Sequence, residues 1–129
     1  MIVVDSSALV AIAGDEAEAE VFAAVLGTAD AIWLSPINYV ETAMVLLSRK
    51  VVPNRDRLDL WLSEAGVTVS DDLPLSSLAL DAFLRFGRGN HPARLNLGDC
   101  FAYALAKHLD APLLYKGDDF AKTDVRSAL

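Results

Sequence analysis

Two kinds of hydrophobic pattern alternate along this chain, short unbroken apolar runs and longer stretches in which apolar residues recur every three or four positions. The short runs predict strands at Ile2 to Val4, Ala31 to Leu34, Val67 to Ser70 and Pro112 to Tyr115, with a short fifth around Val125. The longer stretches predict helices. One runs from Ser7 to Ala13, and another from Asp15 to Leu26 with acids early and Gly27 as its stop. Ser35 is placed to cap a helix that has Pro36 in its first turn and continues to about Arg49. Pro53-Asn54 opens the next, which Gly66 ends. Leu75 to Phe86 carries Leu75, Leu78, Ala79, Ala82, Phe83 and Phe86 on one stripe. After a loop from Arg88 to Leu95, Asn96 caps a last helix reaching His108 or Leu109.

Strands that alternate with helices predict an α/β fold in one domain spanning residues 1–129, with a central, mostly parallel sheet of four to five strands and helices on both faces. In such sheets ligands sit beyond the carboxyl ends of the strands. A hydrophobic content of 53% supports a substantial core. The stretch from Ala31 to Ser48 carries one charge, but Pro36, Asn38 and Glu41 interrupt it, so a strand and a buried helix are expected there and no membrane span. With one cysteine, Cys100, no intrachain disulfide forms, and no basic, apolar and cleavage-site series opens the chain; a cytoplasmic protein is expected. The net charge of −7 argues against binding polyanions by overall attraction. A nucleic-acid substrate then needs a local basic surface and a cation to reverse the field.

Four carboxylates stand where packing favours hydrocarbon: Asp5 after the first strand, Glu41 in a largely apolar helix, Asp99 in NLGDCFAYALA and Asp118 in PLLYKGDDF. Each has an ordinary structural use. Asp5 can bond the backbone of Ser7 in a turn, Glu41 can lie on a solvated face, Asp99 can sit on a helix dipole, and Asp118 with Asp119 can simply make a turn. The predicted elements nevertheless bring all four to one sheet edge. Like charges 4 Å apart repel by about 1 kcal/mol in water and about 4 kcal/mol at an effective dielectric of 20, so four gathered acids call for a cation. An all-oxygen donor set suits Mg²⁺, or Mn²⁺, better than zinc.

The order and context of these acids resemble the PIN domain, and within it the VapC-type toxin endoribonucleases. The resemblance runs through Asp-Ser-Ser-Ala-Leu at Asp5, Ser-Pro ahead of Glu41, Leu-Gly-Asp-Cys-Phe-Ala-Tyr-Ala-Leu-Ala around Asp99, and Leu-Leu-Tyr-Lys-Gly-Asp-Asp-Phe. It implies a PIN fold with Asp5, Glu41, Asp99 and Asp118 as the catalytic acids, and Asp5, Asp99 and Asp118 as metal ligands. Ser7 matches the hydroxyl residue that supports the first acid. Many relatives carry Ser or Thr where Lys116 stands, a departure that puts a cation in position to pair with an acid or meet a phosphate. Asp119, adjacent to Asp118, is open to the same role. The implied activity is Mg²⁺-dependent hydrolysis of RNA by water, leaving a 5′-phosphate and a 3′-hydroxyl. The implied partners are a cognate VapB-like antitoxin and a second copy of the chain, for which the helices Asn54 to Ala65 and Leu75 to Phe86 offer apolar surface.

The series Arg85, Arg88, His91, Arg94 before the last helix reads either as an ordinary solvated loop or as a phosphate-gripping rim beside the acids, with Arg88 and Arg94 as the residues that would hold substrate. Cys100 with His91 or His108 could suggest thiol catalysis, but within an apolar helical turn Cys100 reads as a small core residue. Two other classes fit less well. A receiver or dehalogenase-like phosphoryl domain also puts Asp after strand one, but the chain has Val-Ser before Asp71 where a receiver needs its phosphoacceptor, and Ser7 where a dehalogenase needs a second Asp. A PIN-fold binding module without catalysis is disfavoured by the presence of all four acids.

Overall fold

The computed structural model describes all 129 residues. Four strands, β1 (Ile2–Val4), β2 (Ile32–Leu34), β3 (Val67–Val69) and β4 (Leu113–Leu114), form one sheet in the order β3-β2-β1-β4, every pair parallel. Six helices connect them: α1 (Ser6–Ala13), α2 (Ala19–Thr28), α3 (Pro36–Ser48), α4 (Arg55–Glu64), α5 (Leu75–Phe86) and α6 (Leu97–His108). None is long and apolar enough to cross a membrane.

The central strand β1 and its neighbour β4 are buried on both faces, whereas Thr68 of β3 is exposed, and the alternation of the strands divides the core in two. Ile2, Val4, Ile32, Leu34 and Leu114 point into one cluster with Leu9, Phe22, Leu46 and Leu58, while Val3 and Leu113 join a second built from α5 and α6. Strand order explains the division. From β1 the chain steps to β2 and β3 in one direction, then returns past β1 to β4. Right-handed crossovers place their helices on opposite faces when the direction of travel reverses, so α5 and α6 cover the face that α1 to α4 leave open. The reversal puts the topological switch point between β1 and β4, whose carboxyl ends face the same crevice.

Side-chain caps fix where the helices start. Asp5 accepts from the N–H of Ser7, Ser35 from Asn38, Asn54 from Arg57 and Asn96 from Asp99. Two boundaries differ from the sequence expectation. The second helix begins at Ala19 rather than Asp15, because Gly14 to Glu16 are used in closing α1: the N–H of Gly14 reaches Val10 O and that of Glu16 reaches Ala11 O, with Asp15 at a left-handed φ of 52°. There is also no fifth strand at Val125. The chain runs beside β4 only through an isolated bridge of Leu113 with Ser127, and Val125 packs instead on the α5–α6 side of the core.

Candidate active site

Asp5 ends β1 at the switch point, 3% exposed, and its N–H donates to Leu114 O of β4 at 2.9 Å. Its Oδ2 accepts the N–H of Ser7 at 3.0 Å and the Ser7 hydroxyl at 2.5 Å, the turn role expected of it. Its Oδ1 is buried with no partner at all. An orphaned carboxylate oxygen is costly in a native fold and points to a bound group that completes it. Burial, with Asp99 and Glu41 adding repulsion against the relief from Ser7, pushes the Asp5 carboxyl up to about 7.

Ser7 is held in turn by the loop after β4, since the backbone N–H of Lys116 donates to its Oγ at 3.0 Å. The Lys116 side chain lies elsewhere. Its ammonium pairs with Glu16 and with Glu18, the latter at 3.1 Å, in the α1–α2 connection, so this cation ties two loops together and pairs with none of Asp5, Glu41, Asp99 and Asp118.

Glu41 projects from the second turn of α3, half-buried. Its Oε1 accepts from Ser6 Oγ at 3.1 Å and Asn38 Nδ2 at 3.0 Å. The carboxyl group lies against Gly98 in the first turn of α6, where any Cβ would overlap it. One residue further on, Asp99 closes a capping box: its N–H donates to Asn96 Oδ1 at 2.9 Å and its Oδ2 accepts the Asn96 N–H at 3.0 Å. Burial opposed by that hydrogen bond, with repulsion from Asp119 and Glu41 and relief from Arg88, leaves Asp99 raised to about 6. Asp99 therefore caps its helix and also belongs to the charge cluster.

The turn after β4 supplies the fourth acid. Asp118 and Asp119 are both exposed. Asp119 is the one whose charge reaches Asp99, while Asp118 makes no side-chain hydrogen bond. Of the basic series, Arg88 is exposed and acts on Asp99; Arg94 is exposed at a left-handed φ of 55°; Arg85 is taken by Asp124 at 3.4 Å; and the Nδ1 of His91 accepts from Ala93 N–H while its ring packs edge-on to Phe86. Cys100 is buried, and its thiol is pushed up to about 11 by burial and by Asp99, which fits a core residue and not a nucleophile. Sequence reasoning passed over Ser6, Asn38 and Gly98. Only Asn38, a polar residue three positions before Glu41 in a largely apolar helix, left a signal in the sequence.

No three Asp, Glu, His or Cys side chains stand in metal-holding geometry in this structure. The residues nevertheless fit a divalent cation: the donors are all oxygen, one buried oxygen lacks a partner, and burial, with repulsion from neighbouring acids added, raises two of the acids.

A parallel sheet with acids gathered at its switch point defines the class, and the sequence agrees: residues 2–126 match the PIN domain family. The chain resembles the ribonuclease VapC of Mycolicibacterium smegmatis at 46% identity over 124 residues, covering 95% of this chain and 96% of that one, and ribonuclease VapC30 of Mycobacterium tuberculosis at 44%, covering 95% of each. It belongs to the VapC ribonuclease group of PIN-domain proteins. A solved structure, the sarcin-ricin loop cleaving toxin VapC20 of Mycobacterium tuberculosis, shares the fold with a TM-score of 0.72 over 98% of this chain and 99% of that one, at 19% identity.

Proposed function

We propose that the chain is a divalent-metal-dependent endoribonuclease toxin of the VapC type, working with Mg²⁺ or Mn²⁺ in the cytoplasm and restrained by a cognate VapB-like antitoxin. The partnerless Oδ1 of Asp5, buried beside two further acids, carries this reading. Asp5 and Asp99 would hold the ion together with an acid of the β4 turn, Asp118 by resemblance, with Asp119 contributing through its charge on Asp99. A bound divalent cation supplies activation of water and neutralisation of charge on a phosphodiester. Ser7 holds Asp5 in place. Glu41, with Oε1 fixed by Ser6 and Asn38, keeps Oε2 free to accept a hydrogen bond from the attacking water. Water attack at phosphorus leaves a 5′-phosphate and a 3′-hydroxyl, and Arg88 and Arg94 grip the flanking phosphates.

Two partners besides RNA complete the proposal. The outer face of α5, with Leu80, Phe83 and Leu84 exposed, is the surface offered to a second copy of the chain; α4, the other helix expected there, packs on the opposite face of the sheet and is left out. A basic side chain of the antitoxin would pair with the acids at the switch point. Cleavage of RNA by the purified chain with Mg²⁺, lost on chelation and restored by adding Mg²⁺ back, is the expected result. Metal-insensitive cleavage, or none, would remove the proposal.

A further inference from the structure

Asn38 is wholly buried in α3, and every polar atom of its side chain is used. Nδ2 donates to Glu41 Oε1 at 3.0 Å and to the Gly98 carbonyl at 3.1 Å; Oδ1 accepts the Ser35 hydroxyl at 2.5 Å, while Ser35 Oγ accepts the Asn38 N–H at 3.1 Å. The two acceptors settle the orientation of the amide. A carboxylate and a carbonyl can only receive, so the NH₂ end must face them, and Ser35 is free to supply the one proton that Oδ1 needs. One planar group thus links α3 to the first turn of α6 across 60 residues of sequence. Gly98 completes the arrangement, because its missing Cβ is the space in which the Glu41 carboxyl group lies.

We propose that Asn38 is a positioning residue, a strut whose amide holds the Glu41 carboxylate against Gly98 and so fixes it relative to Asp99. A shorter hydroxyl at this position could not span both acceptors, and an acid would set a second carboxylate against Glu41. Full burial of the amide excludes water as a substitute donor. The inference rests on the ribonuclease reading for its activity readout alone.

The test pairs Asn38→Ala, which removes both donors, with Ser70→Ala, which removes one buried hydrogen bond to Leu34 O from the residue after β3, two strands away from Asp5 in the sheet. Asn38→Ala should lower kcat by about 10- to 100-fold, the usual effect of removing a partner that orients a site residue, with KM for RNA unchanged. The carboxyl-carbon NMR signal of Glu41 should also move in metal-free protein. Ser70→Ala should lower Tm and change neither. If Asn38→Ala does not fold, Asn38→Asp keeps the shape and the Ser35 contact while removing the donors, and should move the same signal. A stationary Glu41 signal, or a kcat no lower than that of Ser70→Ala, overturns the strut. Absence of RNA cleavage by the wild type would overturn the ribonuclease reading instead, and the Glu41 signal would still decide the role of Asn38.

Discussion

The carboxyl group of Glu41 occupies the space that a side chain at Gly98 would fill. Gly98→Ala therefore opposes two effects. Alanine favours the helix by about 1 kcal/mol, while crowding in a packed site typically costs about 1 to 3 kcal/mol. The expected variant is folded, within about 2 kcal/mol of the parent in denaturant titrations, and impaired in RNA cleavage because Glu41 has moved. Parental kcat would mean that Glu41 does not need this position.

Asp5→Asn and Asp99→Asn each remove one charge from a repelling group while keeping an oxygen for the local bond, Ser7 to position 5 or Asn96 N–H to position 99. Both should abolish RNA cleavage. Metal-free stability should be equal or higher at pH 8. In the parent, Mg²⁺ or Mn²⁺ at 100 times its dissociation constant should add about 2.7 kcal/mol, and either variant should shrink that gain. If Asp99 served only the helix dipole, its loss would cost about 0.3 to 1 kcal/mol with or without metal. Thermal melts with and without metal distinguish these outcomes.

The pH dependence of metal-free stability has a definite sign. Folded Asp5 keeps its proton to about pH 7 and folded Asp99 to about pH 6, whereas both lose it near 3.8 in the unfolded chain. Between those limits the folded state binds more protons, so these two groups make stability fall as pH rises from about 4 to 7. Melting curves should show a downward slope through that window that flattens in Asp5→Asn and disappears with saturating Mn²⁺. Equal slopes in parent and variant would contradict the burial of a protonatable Asp5.

Arg88 and Arg94 carry no ion pair and flank the Asp99 helix, unlike Arg85, which Asp124 occupies. Replacing both with Gln should weaken RNA binding and reduce the salt slope by roughly one unit per lost phosphate contact. Arg85→Gln should leave the slope unchanged. Binding isotherms at several salt concentrations would show whether the loop touches RNA.

Leu80 and Leu84, 59% and 63% exposed on α5, lie in the surface offered to a second copy. Sedimentation of the parent should give a dimer at tens of micromolar, on the order of ordinary dimer affinities, and Leu80→Asp with Leu84→Asp should give a folded monomer. A concentration-independent parental monomer would remove the dimer.

The strands and most helix starts were legible because local chemistry fixes them: apolar runs for β1 to β4, and Ser35-Pro36, Asn54 and Asn96 as caps. The start of α2 was not, because Glu16 and Glu18 look like a first turn until the closure of α1 uses that backbone. In the site, an acid in apolar sequence was enough to single out Asp5, Glu41 and Asp99. The Asn38–Gly98 link depends on a contact between distant segments that no local pattern encodes. The contrast between Asp118 and Asp119 depends on the rotation of one turn, which spacing cannot specify.

Support for Ser7, and through it Asp5, comes from the peptide N–H of residue 116 and not from that residue's side chain. Any amino acid except proline offers the same donor. Position 116 therefore separates two tasks: its main chain steadies the first acid, and its side chain is left over for an ion pair across the α1–α2 connection, as Lys116 makes here.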